Sequence, residues 1–254
     1  MIVLLVVAMF GLNGCFKISE TVNFNKDGSG DYTLSIDMGS MIAMLQNLDL
    51  NEMMGGEGSD EDASLPSDAF QKRDTVINVF DMMSARSEKV ERPEFWKKAN
   101  IFVKVDGDNG VFLADVKFPF KDTDEISFFY NNIGELAGNN EEIAGMLGGG
   151  MSTNTISDLF SFKKRTFTRK ANSMDMDDLG GLDEEMQSQM EMVKMFMSGA
   201  TYTTIYNFPK KVKSASNKDA KISQDKKTVT TEVSFLDILD GKNDISNVIK
   251  LKLF

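Results

Sequence analysis

Side chains that commonly carry chemistry are scarce in this chain, which makes the few that occur informative. Cys15 is its only cysteine, and no histidine occurs among 254 residues. An intrachain disulfide is therefore impossible, and the usual proton shuttle and commonest metal ligand are both missing. The sequence holds no nucleophile elbow, P-loop, zinc signature or dinucleotide fingerprint. Carboxylates abound, yet no pair is marked over another as acid and base. Three acidic stretches space their oxygens somewhat as calcium loops do. In N-K-D-G-S-G-D the candidates are Asn25, Asp27, Ser29 and Asp31, but Ile36 stands where the bidentate glutamate belongs. D-G-D-N-G (106–110) reads the same way, as a turn in which Asp and Gly supply the backbone geometry. D-M-D-D-L-G-G-L-D-E-E (175–185) puts Leu179 at a ligand position. The 18 methionines include Met174/Met176 and Met195/Met197, a thioether spacing suited to Cu(I), without imidazole or free thiol to complete the shell. Core packing is the stronger reading, because Met fills irregular apolar space. The expectation is no catalytic residue, no metal site and no cofactor.

Cys15 closes an apolar run. Residues 2–10, I-V-L-L-V-V-A-M-F, are uninterrupted apolar side chains, and Leu12 extends them. A bilayer-spanning helix needs about 20 such residues, so the run has the length of a signal-peptide core instead. No Lys or Arg precedes it. Either the start lies upstream of Met1 or the amino terminus alone supplies the positive charge. Leu12-Asn13-Gly14-Cys15 resembles the lipobox of bacterial lipoproteins. The resemblance implies that the Cys15 sulfur is joined to a diacylglyceryl group. It also implies that signal peptidase II recognises Leu12, Asn13 and Gly14 and cuts before Cys15. The residue types suit the chemistry: sulfur is the nucleophile that accepts the lipid, and small neighbours admit the peptide to an active site. The alternative is a buried, inert cysteine, but a position directly behind an apolar run favours lipidation. Each buried methylene contributes roughly 0.8 kcal/mol, so two or three acyl chains anchor durably. No Asp follows Cys15 to resemble an inner-membrane retention signal, and no acidic run follows to resemble a surface-export signal. The resemblance therefore implies a lipoprotein of the outer membrane facing the periplasm. The D-G-S-G turn soon afterwards is similar to that of many Gram-negative envelope lipoproteins and implies no activity.

Charge narrows the partners. Lys and Arg total 28 against 39 acids, a net charge of −11, which argues against nucleic acid and against attraction of the body to an anionic bilayer. The expected partners are the membrane, through Cys15, and an envelope protein.

The elements that must position these residues are read from periodicity. Residues 18–24 and 32–36 flank a Gly-rich turn and predict a hairpin, with Met41, Met44, Leu45 and Leu48 marking a helix behind it. Residues 101–105 and 111–118 predict a second hairpin. Asp122 and Glu125 then stand at capping-box spacing before a stripe of Ile126, Phe129, Ile133 and Leu136. Residues 202–212, with Pro209 at an edge or strand end, two strands in 220–235, a short helix at 235–239 and alternation in 248–253 make a looser third unit. T-V-I-N-V (75–79) predicts a strand leading into a helix, Pro93 a helical turn, and Met186, Met190, Val193 and Met197 a helix over 183–198.

The expected fold is α+β: antiparallel hairpins forming a sheet with helices packed on one face, in three β-β-α-like units. A signal peptide covers 1–14, a first α+β region 15–140 with a flexible acidic loop at 51–66, a Gly/Asn-rich linker 141–158, and a second α+β region 159–254. The expected role is non-catalytic binding or scaffolding in the cell envelope. The alternative is a carrier of a small apolar ligand in a Met- and Phe-lined cavity.

Overall fold

The computed structural model describes residues 16–40, 71–85, 89–137, 158–171 and 199–253. Strands come in two phases of burial, and that alternation builds the fold. In β1 (Lys17–Phe24) the even positions Ile18, Glu20, Val22 and Phe24 are buried, and β2 (Gly30–Asp37) repeats the pattern with Tyr32, Leu34 and Ile36. The pair is antiparallel, with Ile18 opposite Ile36 and Val22 opposite Tyr32. Its turn must close tightly. A Cβ at Gly30 would lie 2.0 Å from the Asn23 carbonyl oxygen and 2.6 Å from the Phe120 ring.

β3 (Arg73–Asn78), β4 (Asn100–Asp106) and β5 (Val111–Phe120) continue the sheet on one side. β8 (Thr201–Asn207), β10 (Lys221–Ile222) and β11 (Thr228–Ser234) continue it on the other. The resulting eight strands run in the order β10-β11-β8-β1-β2-β5-β4-β3. Strands from both predicted α+β regions thus share one sheet, and the seam between β1 and β8 is parallel. The expectation of an antiparallel sheet fails there. The two strands lie far apart in the chain, and no hairpin constrains their direction.

A second sheet, β6-β7-β12-β9, comprises β6 (Phe160–Lys163), β7 (Thr166–Arg169), β12 (Asn247–Leu251) and β9 (Val212–Ala215). Its Phe160 and Phe167 are fully buried, as is Tyr206 of β8, and the Phe167 and Tyr206 ring centroids stand 4.8 Å apart. The helices α1 (Val79–Ser84), α2 (Pro93–Trp96), α3 (Thr123–Ala137) and α4 (Phe235–Leu239) are short except for α3. The fold is mixed α+β and mostly β. Cover over the large sheet is shared between helices and a second sheet, because the 160–169 hairpin supplies aromatic rings that the sequence pattern did not assign to strands.

Local chemistry sets the helix ends. Asp122 Oδ1 accepts from the amides of Asp124 (3.0 Å) and Glu125 (3.3 Å), while Glu125 Oε2 accepts from Lys121 N (2.8 Å). The reciprocal cap is real, shifted by one residue on its return arm. Asn78 caps α1 by accepting from the amides of Phe80 and Asp81. The predicted helix at 38–48 from residue 41 onward, the one at 183–198, the acidic stretch 175–185 and most methionines lie outside the described residues. Met83 is buried, and Met38 and Met82 pack against the core. No helix among the described residues is long and apolar enough to cross a membrane.

Candidate functional site

Glu20 sits on the inward phase of a central strand and is fully buried. A lone carboxylate in that position would be prohibitively costly, so the fold must bring it partners. It brings five donors. Arg169, itself only 1% exposed, directs Nε at Oε1 (3.2 Å) and Nη2 at Oε2 (3.2 Å). Tyr206 donates to Oε1 at 2.5 Å and Tyr130 to Oε2 at 2.6 Å. Tyr202 lies 3.3 Å from Oε2 and 3.2 Å from the Tyr130 hydroxyl, sharing its proton between them. Behind this shell Tyr32 donates to Tyr130 at 2.7 Å. These are all the tyrosines in the chain.

Position follows from strand phase. Tyr202 and Tyr206 flank Thr204 on β8, and Thr204 is the register partner of Glu20. Arg169 ends β7 in the same inward phase as Phe167. Tyr130 comes from α3 and Tyr32 from β2, so five elements meet at one carboxylate. The free edge of the guanidinium is occupied too, since Nη1 donates to the Lys170 carbonyl at 3.1 Å. The polar row continues sideways through Thr204 to Thr231, its neighbour on β11, toward which Asn247 directs its amide at 3.5 Å. Thr204 Oγ1 is buried and has no hydrogen-bond partner among the described residues.

Burial, reinforced by the Glu20 charge, pushes the phenols of Tyr32, Tyr130 and Tyr206 well above the ordinary tyrosine range, and Tyr202 likewise upward. For Arg169, burial opposes the charge, but Glu20 and the surrounding tyrosines outweigh it and hold the guanidinium protonated. The cluster is a sealed ion pair with its lone pairs saturated.

Phenylalanines fill the space on either side. Phe24 stacks on Phe208 at 5.3 Å and lies 4.9 Å from Phe162 and 5.2 Å from Phe167. Tyr32, Phe118 and Phe129 pack within 4.8 to 5.6 Å of one another.

The residues singled out from sequence fall elsewhere. Leu12, Asn13, Gly14 and Cys15 lie outside the described residues. The first described residue, Phe16, is buried, and its carbonyl accepts from Thr201 N at 3.1 Å. The 25–31 loop is a self-contained turn: Asp27 accepts from the Ser29 amide (3.1 Å) and hydroxyl (2.7 Å), and Asn25 donates to Ser29 Oγ. These bonds to Ser29 draw the Asp27 pKa down. In 106–110, Asn109 donates to Asp106, which also pairs with Lys72 at 3.2 Å. Among the described residues no group of three or more acidic, cysteine or histidine side chains is placed to hold a metal ion.

Sequence reasoning missed the Glu20 cluster, although part of its signal was present. K-I-S-E-T-V-N-F read strictly at period two puts Glu20 in phase with Ile18, Val22 and Phe24. A charge on the apolar phase of a strand is the mark of a buried pair.

No protein-family model matches the chain, and no curated protein matches it. Among solved structures, the NMR structure of the folded domain of the Mycobacterium tuberculosis LppM protein aligns over 94% of this chain and 90% of its own. The identity is 10% and the TM-score 0.34, too low to transfer fold or activity.

Proposed function

We propose that this chain is a lipid-anchored protein of the bacterial cell envelope, acylated on Cys15, whose body has a non-catalytic binding or scaffolding role. The outer membrane, facing the periplasm, is its proposed location. The observation that carries the reading is Leu12-Asn13-Gly14-Cys15, placed directly behind an apolar run and directly before the fold. Phe16 is already buried and Lys17 already begins β1, so cleavage before Cys15 leaves every described element intact. The acyl chains would then attach roughly 7 Å of backbone from a central strand, without a long tether.

Two features support a non-catalytic body. The buried carboxylates among the described residues are Glu20 and Asp106. They stand on β1 and β4, three strand spacings apart, roughly 14 Å, and so form no acid–base pair. Glu20 has no free lone pair directed at solvent. The packing of phenylalanine rings against one another favours a binding surface over the alternative of an apolar-ligand carrier.

The test is Cys15→Ala, followed by membrane partition and by mass spectrometry of the amino terminus. The wild-type protein should partition with membranes and carry a diacylglyceryl cysteine, and the variant should lose both properties. Unchanged partition, or an unmodified thiol in the wild type, would sink the proposal.

A further inference from the structure

Exposed cations gather over the end of the small sheet. An open groove of about 500 Å³ runs over the end of the small sheet, lined by Arg165, Thr166, Lys213, Lys250, Lys252 and two leucines. All four cationic side chains are exposed, and Lys163 and Lys164 at the β6–β7 turn extend the same sign of charge. Among the described residues none of these cations stands in an ion pair.

The backbone beneath them is fixed. Leu251 N donates to the Arg165 carbonyl and Lys252 N to the Lys211 carbonyl, each at 2.8 Å, which ties β12 to both neighbouring segments. Lys250 stands in register with Thr166 on β7, so the two side chains leave the sheet on the same face. Like charges held together without counter-charge repel one another, and that cost is relieved when an anion enters. A concave site of one sign also focuses its field on whatever enters it.

We propose that this groove binds a discrete, multivalent phosphorylated ligand. Arginine supplies a planar fork matched to phosphate oxygens, and the lysines supply compact charges around it. The groove is concave, so a discrete ligand can meet all four cations at once while a flat bilayer cannot enter it, which favours the discrete ligand. A ligand inside the groove is within about 8 Å of the cations, one screening length at physiological ionic strength.

The experiment uses the full chain in non-ionic detergent, titrated with inorganic tripolyphosphate by calorimetry at low and at physiological salt. Binding should be present and should weaken as salt rises. Lys250→Gln with Lys252→Gln should weaken it by about a hundredfold, since the loss of each charged hydrogen bond costs roughly tenfold or more. Arg73→Gln with Lys104→Gln, an equal charge change at exposed sites on the far edge of the large sheet, should leave it within about twofold. Absence of binding, or equal losses in the two double variants, overturns the proposal. So does groove-dependent binding of phosphatidylglycerol vesicles with none of tripolyphosphate, which would make the site a bilayer contact. Circular dichroism of each variant excludes unfolding as the cause.

Discussion

Raising pH should unfold this protein in one abrupt step, and the tyrosines should report it. All four tyrosines sit in the Glu20 cluster, and all four have phenol pKa values raised by burial and then by the Glu20 charge. In the unfolded chain each ionises near pH 10. The folded form therefore holds each proton more tightly than the unfolded form does. Stability is unaffected below about pH 10 and falls above it, because only the unfolded state gains by ionising. At pH 11 each tyrosine removes about 1.4 kcal/mol, so the four together remove about 5–6 kcal/mol. That approaches the whole stability of an ordinary domain, about 5–15 kcal/mol.

The assay follows tyrosinate absorbance and far-ultraviolet circular dichroism together across the alkaline range. With no tyrosine outside the cluster, the absorbance has no background from exposed phenols. It should stay flat through pH 10 and then rise in the same narrow interval in which ellipticity is lost. Tyr206→Phe should make the fall in stability shallower by one tyrosine's share. It should also lower stability at neutral pH, because Glu20 loses its donor at 2.5 Å. The reasoning fails if any tyrosinate signal develops near pH 10 while the ellipticity is unchanged, since that phenol would then be open to solvent.

Two further substitutions probe the same region by urea unfolding at neutral pH. Glu20→Gln leaves the Arg169 guanidinium buried without a counter-charge, and it should destabilise by about 3–5 kcal/mol; a loss under about 1 kcal/mol would mean the pair is solvated. Thr204→Val removes a buried hydroxyl that has no partner among the described residues, and it should stabilise by about 1 kcal/mol; a comparable loss would reveal a hydrogen bond there.

What the sequence disclosed was local. The first two hairpins, the Asp122 cap and the Pro93 turn follow from alternation, glycine placement and side-chain oxygens within a few residues of one another. The hairpin at 160–169 escaped notice because its turn contains Lys164 at a φ of 59° where glycine would have marked it. The stretch 202–212 reads as one strand, yet after Asn207 the chain leaves the large sheet, and Val212 begins β9 in the small one. Pro209 lies in that crossing, where no ladder hydrogen bond is required of it. The Glu20 cluster is legible by halves. Phase alone places Glu20, Tyr202 and Tyr206 inward, while Arg169 stands on the hairpin that the pattern did not mark. Their meeting depends on contacts spanning 110 to 186 residues, which no local pattern encodes.

Those long spans suggest why an ion pair persists where apolar residues would pack at less cost. A buried pair of this kind often contributes little net stability, because desolvation consumes the Coulombic gain. Its effect is on alternatives. In the parallel seam between β1 and β8, a slip of one residue would turn Tyr202 and Tyr206 to the opposite face and leave Glu20 with fewer donors. A slip of β7 would withdraw Arg169 and strand the carboxylate. Apolar side chains would tolerate either error at the cost of some packing. A buried charge would incur several kilocalories per mole for each. Glu20 therefore acts as a register pin at the midpoint of β1. The segment bearing Cys15 joins one end of that strand. Phe24, at the other end, packs on Phe162, Phe167 and Phe208, which lead to the basic groove. A strand of eight residues spans roughly 25 Å. One rigid element thus sets the distance between the proposed lipid attachment and the proposed anion site, and the pin holds that distance fixed.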